Sequence, residues 1–243
     1  MSTTTTTNNS IAGYAASALN SLTESQLAFI TSLPKAELHA HLNGSIPLPV
    51  LRDLSLELFS NATQNEPTDV NGHILPESPV QTQIPAHIAA SLEKLQSGVE
   101  LNEIHEFFSL FPAIYALTST PEALRRATKA VLHEFLGGTQ PQTAYLELRT
   151  TPREAPTMTR RSYVMAVLSE VEQYPPDKAA LIVSLDRRMD EQVLGECVEI
   201  ALSLKANGRR IVGVDVCGDP TVRFLWLLNV SLWMSFPLDR QAT

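Results

Sequence analysis

Four short segments of strand-like pattern recur along this chain, and each ends in polar or charged residues: AELHAH at 36–41, AYLELRT at 144–150, LIVSLD at 181–186 and IVGVDV at 211–216. In the first, Ala36, Leu38 and Ala40 alternate with Glu37, His39 and His41, the period of two that marks a strand. Between the segments, apolar residues recur at helical spacing. The order β-α-β-α-β-α-β, with mostly apolar strands, is that of a parallel sheet covered by helices. Ala144 to Ala180 is 36 residues and Ala180 to Ile211 is 31, each the length of one βα unit of a barrel or a doubly wound sheet.

The helix over 120–136 is the best marked. Thr120 suits its N-cap, Pro121 its first turn and Glu122 its positive dipole end, and Gly137-Gly138 stops it. Further helices are expected over Ser21–Ser32, 46–60, His87–Gln96, Leu101–Leu117, 159–174 and 191–206, the last two ended by Pro175-Pro176 and Asn207-Gly208. Residues 61–86, rich in Asn, Thr, Pro and Gln, read as a loop or insertion. The low-complexity start MSTTTTTNNS cannot bury a core, and residues 1–20 are expected to form a disordered tail.

Composition excludes several functions. With 18 Lys and Arg against 26 Asp and Glu, the net charge is −8, which gives no footprint for wrapping nucleic acid. No stretch approaches the roughly 18 uninterrupted apolar residues of a membrane span. Cys197 and Cys217 form no CxxC, so neither a disulfide framework nor a thiolate zinc knuckle is expected. The first basic residue is Lys35, so no secretory or transit leader is read, and a cytoplasmic location is expected.

Ligands of parallel α/β folds bind where strands end. Here those ends carry His39 and His41, Arg149 through Arg153, Asp186-Arg187-Arg188 and Asp215 to Asp219. Residues i and i+2 of a strand face the same way, so His39 and His41 are placed to chelate one metal, and neutral imidazole suits zinc or iron. HxH alone is a weak pattern that a polar strand edge also explains. His105-Glu106 and His133-Glu134 do not complete HExxH, there is no H-x-E with P-C-x-x-C, and neither a Walker loop nor GxGxxG occurs.

From LPKAELHAHLNGSI (33–46) the sequence resembles the adenosine and AMP deaminase superfamily of metal-dependent amidohydrolases. The resemblance continues in order through EFFSLFPAIYALTSTPEAL (106–124), YLELRTTPRE (145–154), SLDRRMD (184–190) and GVDVCGDPTV (213–222). It implies a partial (β/α)8 TIM barrel with about four of its eight βα units, a barrel domain over 21–222 and a divergent apolar tail over 223–243. Within the superfamily the chain is most similar to the adenosine deaminase-like branch acting on N6-methyl-AMP. Asn43 stands where nucleoside deaminases carry Asp; an amide can donate to a 5′-phosphate that a carboxylate would repel. Thr150 to Arg153 add two hydroxyls and a guanidinium, a reasonable phosphate cradle.

The resemblance implies His39 and His41 as metal ligands for Zn2+, and His41, Asn43, Tyr115, Thr150, Thr151, Pro152, Arg153, Asp186 and Gly218 as contacts to a small-molecule purine nucleotide. The implied reaction is hydrolytic deamination by a zinc-activated water. Tyr115 departs from the His common at its place and reads equally as an amphipathic core residue. Asp186 alternatively caps a helix or pairs with Arg187 or Arg188, Gly218 alternatively permits a turn, and Glu147 alternatively pairs with Arg149. The third His, the proton-donating Glu and the late Asp of the family are not found: the six histidines are 39, 41, 73, 87, 105 and 133. No catalytic residue is therefore assigned. The chain is expected to be C-terminally truncated and inactive by itself, or a non-catalytic half-barrel that binds a nucleotide or a partner. Asp215 or Asp219 is only a weak candidate for a further metal carboxylate.

Overall fold

The computed structural model describes residues 13–64, 86–97, 108–139 and 141–218. The expected tail over 223–243, Asp219, most of the loop over 61–86 and the first part of the helix over 101–117 lie outside them.

In chain order the described elements are α1 (Gly13–Asn20), α2 (Glu24–Ser32), β1 (Ala36–His41), α3 (Leu48–Gln64), α4 (Ala86–Ser97), α5 (Phe111–Leu117), α6 (Pro121–Leu136), β2 (Tyr145–Thr150), α7 (Arg160–Val171), β3 (Ala179–Asp186), α8 (Glu191–Ala206) and β4 (Ile211–Cys217). A 3-10 turn over Leu42–Gly44 follows β1. The four strands form one parallel sheet in the order β1-β2-β3-β4. This is an α/β arrangement: four parallel strands laid side by side in sequence order and joined by helical connections. Among the described residues no helix is long and apolar enough to cross a membrane.

The helix signals act as read. Thr120 Oγ1 accepts from the Ala123 amide at 3.2 Å, and the Gly137 amide closes the last turn on His133 O at 2.8 Å. Thr159 and Asp190 cap α7 and α8 in the same way, at 3.2 and 2.8 Å. Several boundaries differ from expectation, three of them instructively. Within residues 1–20, Gly13–Asn20 are helical, in keeping with the high helix propensity of Ala15, Ala16, Ala18 and Leu19. α3 continues to Gln64, four residues into the expected loop. α7 ends at Val171, and the amides of Gln173 and Tyr174 tighten onto the carbonyls three residues back.

The sheet has two unlike faces. Leu146, Leu148, Leu181 and Val183 are fully buried in one cluster with Leu124, Ala127 and Val131 of α6 and Val164, Val167 and Leu168 of α7. Each such leucine contributes roughly 2 kcal/mol of burial. The register puts His41 beside Arg149, Arg149 beside Ile182, Ser184 beside Asp215 and Asp186 beside Cys217. Paired residues of a parallel sheet share a face, so the second face is a polar array drawn from all four strands.

Candidate functional site

His39 and His41 share a side of β1, with ring centroids 5.1 Å apart and planes at 67°. Both are exposed. The inner neighbour of His39 is a cation: Arg149 Nη1 lies 2.9 Å from its Nδ1 and 2.7 Å from its Nε2. Arg149 is only 4% exposed, ion-pairs with Asp215 Oδ2 at 2.5 Å and donates from Nε to Ser184 Oγ at 3.4 Å. The other Asp215 oxygen is buried without a partner. Partial burial of the His41 ring, then the facing charges of Arg149 and His39, push its pKa below the ordinary histidine value and favour the neutral ring. Glu147 does not pair with Arg149; it accepts from the Tyr145 hydroxyl at 3.0 Å, because register brings Asp215 rather than Glu147 to the guanidinium.

These residues offer two of the four ligands a zinc site needs. Among the described residues no three His, Cys, Asp or Glu side chains converge on a metal-sized point, and Asp215 is engaged with Arg149. The described set does not close around zinc.

A second cluster lies where β1 and β2 end. Asn43, in the 3-10 turn, is 8% exposed. Its Oδ1 accepts from Arg153 Nη2 at 3.3 Å and its Nδ2 donates to Tyr163 Oη at 3.4 Å. Thr150 Oγ1 lies 2.7 Å from the same phenol oxygen. Arg153 Nη2 also donates to Thr118 Oγ1 at 3.3 Å, and Thr118 spends its own hydroxyl hydrogen on Ile114 O at 2.8 Å. The guanidinium stacks on the Tyr115 ring, 3.6 Å from its centroid. Burial raises the Tyr115 pKa although Arg153 opposes the shift. Tyr115 is thus a partly buried platform for the cation rather than a core residue alone.

The structure brings Asn43, Tyr115, Thr150 and Arg153 into one contact group. Pro152 between them is buried. Thr151 instead meets Cys217 Sγ at 3.4 Å, next to β4. Asp186 is clasped by Arg188, at 2.9 Å from Nε and 2.6 Å from Nη2, and its carboxyl is held below the usual range chiefly by that bond. Gly218 has φ +92°, and a Cβ there would stand 2.8 Å from Asp186 Oδ1, so the turn needs glycine.

Sequence reasoning missed Tyr163, Thr118 and Ser184. Tyr163 carried the one usable signal: a tyrosine within a helix between buried aliphatic positions needs a partner for its hydroxyl.

No characterised protein-family profile matches the sequence. It is 32% identical over 201 residues to N6-methyl-AMP deaminase of Mus musculus, an overlap of 80% of this chain and 48% of that protein. It is 30% identical over 197 residues to the adenosine deaminase-like protein of Drosophila melanogaster, an overlap of 79% of this chain and 50% of that one. The chain is a homologue of the adenosine deaminase-like proteins. It spans about half the length of these curated relatives. Among solved structures of this family, the apo N6-methyl-AMP deaminase of Arabidopsis thaliana superposes with a TM-score of 0.58 at 29% identity, covering 81% of this chain and 52% of that one. Arabidopsis ADAL complexed with IMP gives 0.58 at 30% identity, covering 80% and 52%. An amidohydrolase from Burkholderia ambifaria solved with bound Zn, at 20% identity and a TM-score of 0.51, shares the fold alone.

Proposed function

We propose that this chain is the nucleotide-binding half of a purine-nucleotide deaminase barrel, and that its ligand is a 6-aminopurine 5′-monophosphate of the N6-methyl-AMP kind. Arg153 carries the reading. It is a partly buried guanidinium with no carboxylate partner among the described residues, set against the neutral groups of Asn43, Thr118 and Tyr115. Its Nε is buried without an acceptor. A cation kept unneutralised beside hydroxyl groups suits a phosphate. The mouse relative bears the name N6-methyl-AMP deaminase, and the arabidopsis protein was solved with IMP and with GMP, both nucleoside monophosphates. We assign His39 and His41 as the first metal pair of that chemistry, in a set the described residues leave incomplete.

The second reading, a half-barrel that binds without turnover, is favoured by the guanidinium lodged against His39. Calorimetry on the 243-residue chain with IMP and inosine tests binding. IMP is expected to bind at least about tenfold more tightly, the worth of a charge-assisted contact; equal affinities overturn the nucleotide reading. Methylamine release from N6-methyl-AMP with added zinc is expected to stay at background, and robust release overturns the non-catalytic reading.

A further inference from the structure

The guanidinium of Arg153 is held at three points, and none of them is charged. It lies over the Tyr115 ring, 3.6 Å from the centroid, which fixes its plane. Its Nη2 donates to Asn43 Oδ1 and to Thr118 Oγ1, each at 3.3 Å, which fixes its rotation within that plane. The direction of the Thr118 bond follows from chemistry. A hydroxyl has one hydrogen, and Thr118 gives it at 2.8 Å to the Ile114 carbonyl, a group that only accepts. Toward Arg153, Thr118 Oγ1 is therefore purely an acceptor, and a guanidinium only donates. Thr118 is fully buried, so it acts only through what it touches. Tyr115 lies within α5 and Thr118 caps its C-terminal end three positions on, so one element supplies both contacts. Both hydrogens of Nη2 are spent. Nε is buried without an acceptor, whereas Nη1 bonds to no described residue and reaches solvent.

We infer that Thr118 is a positioning residue for Arg153: its back-bonded hydroxyl, together with the Tyr115 ring, fixes the guanidinium and leaves Nη1 as the donor edge for a ligand phosphate. The inference rests on the nucleotide reading above and adds the residue that sets the geometry of its cation. A carboxylate at position 118 would orient the group as well but would cancel the charge that a phosphate needs. A hydroxyl whose hydrogen is engaged elsewhere orients without neutralising. The long arginine side chain is thereby ordered before the ligand arrives, and the cost of ordering it is not taken from binding.

The test is calorimetry with IMP and inosine on the 243-residue chain and its variants T118V, T118S, R153M and the T118V/R153M double variant. T118V is expected to weaken IMP about fivefold, the worth of ordering one long side chain, and to move inosine by less than about twofold. T118S keeps the hydroxyl and is expected to restore IMP affinity to within about twofold of the parent. R153M is expected to weaken IMP about tenfold, and adding T118V to it to cost nothing more. The positioning role is overturned if T118V leaves IMP unchanged, if it weakens IMP and inosine alike, if T118S loses as much as T118V, or if T118V keeps its full effect in the absence of Arg153. If R153M weakens IMP while T118V does not, the positioning role fails and the nucleotide reading stands; if R153M has no effect, both fail. Should T118V not melt cooperatively, nuclear magnetic resonance of the unliganded parent decides. Nη1 and Nη2 of Arg153, assigned by their loss in R153M, are expected as two separate signals, because the rotation that exchanges them breaks the Thr118 bond; a single averaged signal overturns the proposal.

Discussion

Arg149 and Arg153 are one turn of loop apart, yet they occupy opposite electrostatic circumstances. Arg149, inside β2, is almost wholly buried and locked to Asp215 of β4, Ser184 of β3 and His39 of β1. Arg153, just beyond the strand, meets neutral groups among the described residues. The first ties all four strands together across the polar face of the sheet. The second keeps its charge available. A guanidinium inside a sheet is a structural brace once a carboxylate reaches it, and a guanidinium left without one is a candidate ligand site.

The largest expected effect breaks the brace. Arg149→Met leaves the Asp215 carboxylate, 28% exposed and already short of one partner, without its cation. Removing one member of a buried pair costs about 3–5 kcal/mol, so the urea midpoint should fall steeply. A midpoint within the error of the parent would show that the pair holds nothing together. Arg153→Met should be the mirror image: stability within about 1 kcal/mol of the parent, because no buried charge is stranded, with the loss appearing in IMP affinity instead. A large drop in its urea midpoint would erase the distinction between the two arginines.

The smallest effect separates pairing from burial. Arg209 is also paired, through Nη2 with Glu172 at 2.7 Å, but on a flank where both side chains are about a quarter exposed. Burial alone would raise the Glu172 pKa, yet the hydrogen bonds from Arg209 and the Arg210 amide leave it lowered. A carboxyl lowered in the folded state stabilises fully above its unfolded pKa, and that contribution is lost as pH falls through the folded value. Arg209→Met should therefore lower stability by about 1 kcal/mol at pH 7 and flatten the decline seen on acidification below about pH 4. A decline as steep as the parent's would assign it to other carboxylates, Asp186 first among them.

Much of the strand order was legible before the fold. Period two and the βα spacing placed all four strands within two residues of their ends, because alternation and chain punctuation are local properties. HxH likewise fixed that His39 and His41 share a side. The loop Thr150–Arg153 was readable as a donor-rich segment following a strand. What it would touch was not.

The amino-acid sequence alone determined the parallel α/β class, the helix cap at Thr120, and the pairing of imidazoles on one side of β1. Only the tertiary structure decided which carboxylate Arg149 receives, since Glu147 lies two residues away and Asp215 lies on a different strand. Only it joined Asn43 to Tyr163, 120 positions along the chain. Local geometry follows from neighbouring backbone atoms, whereas partnership between buried charges and hydroxyls depends on sheet register and helix packing, which the whole core sets at once.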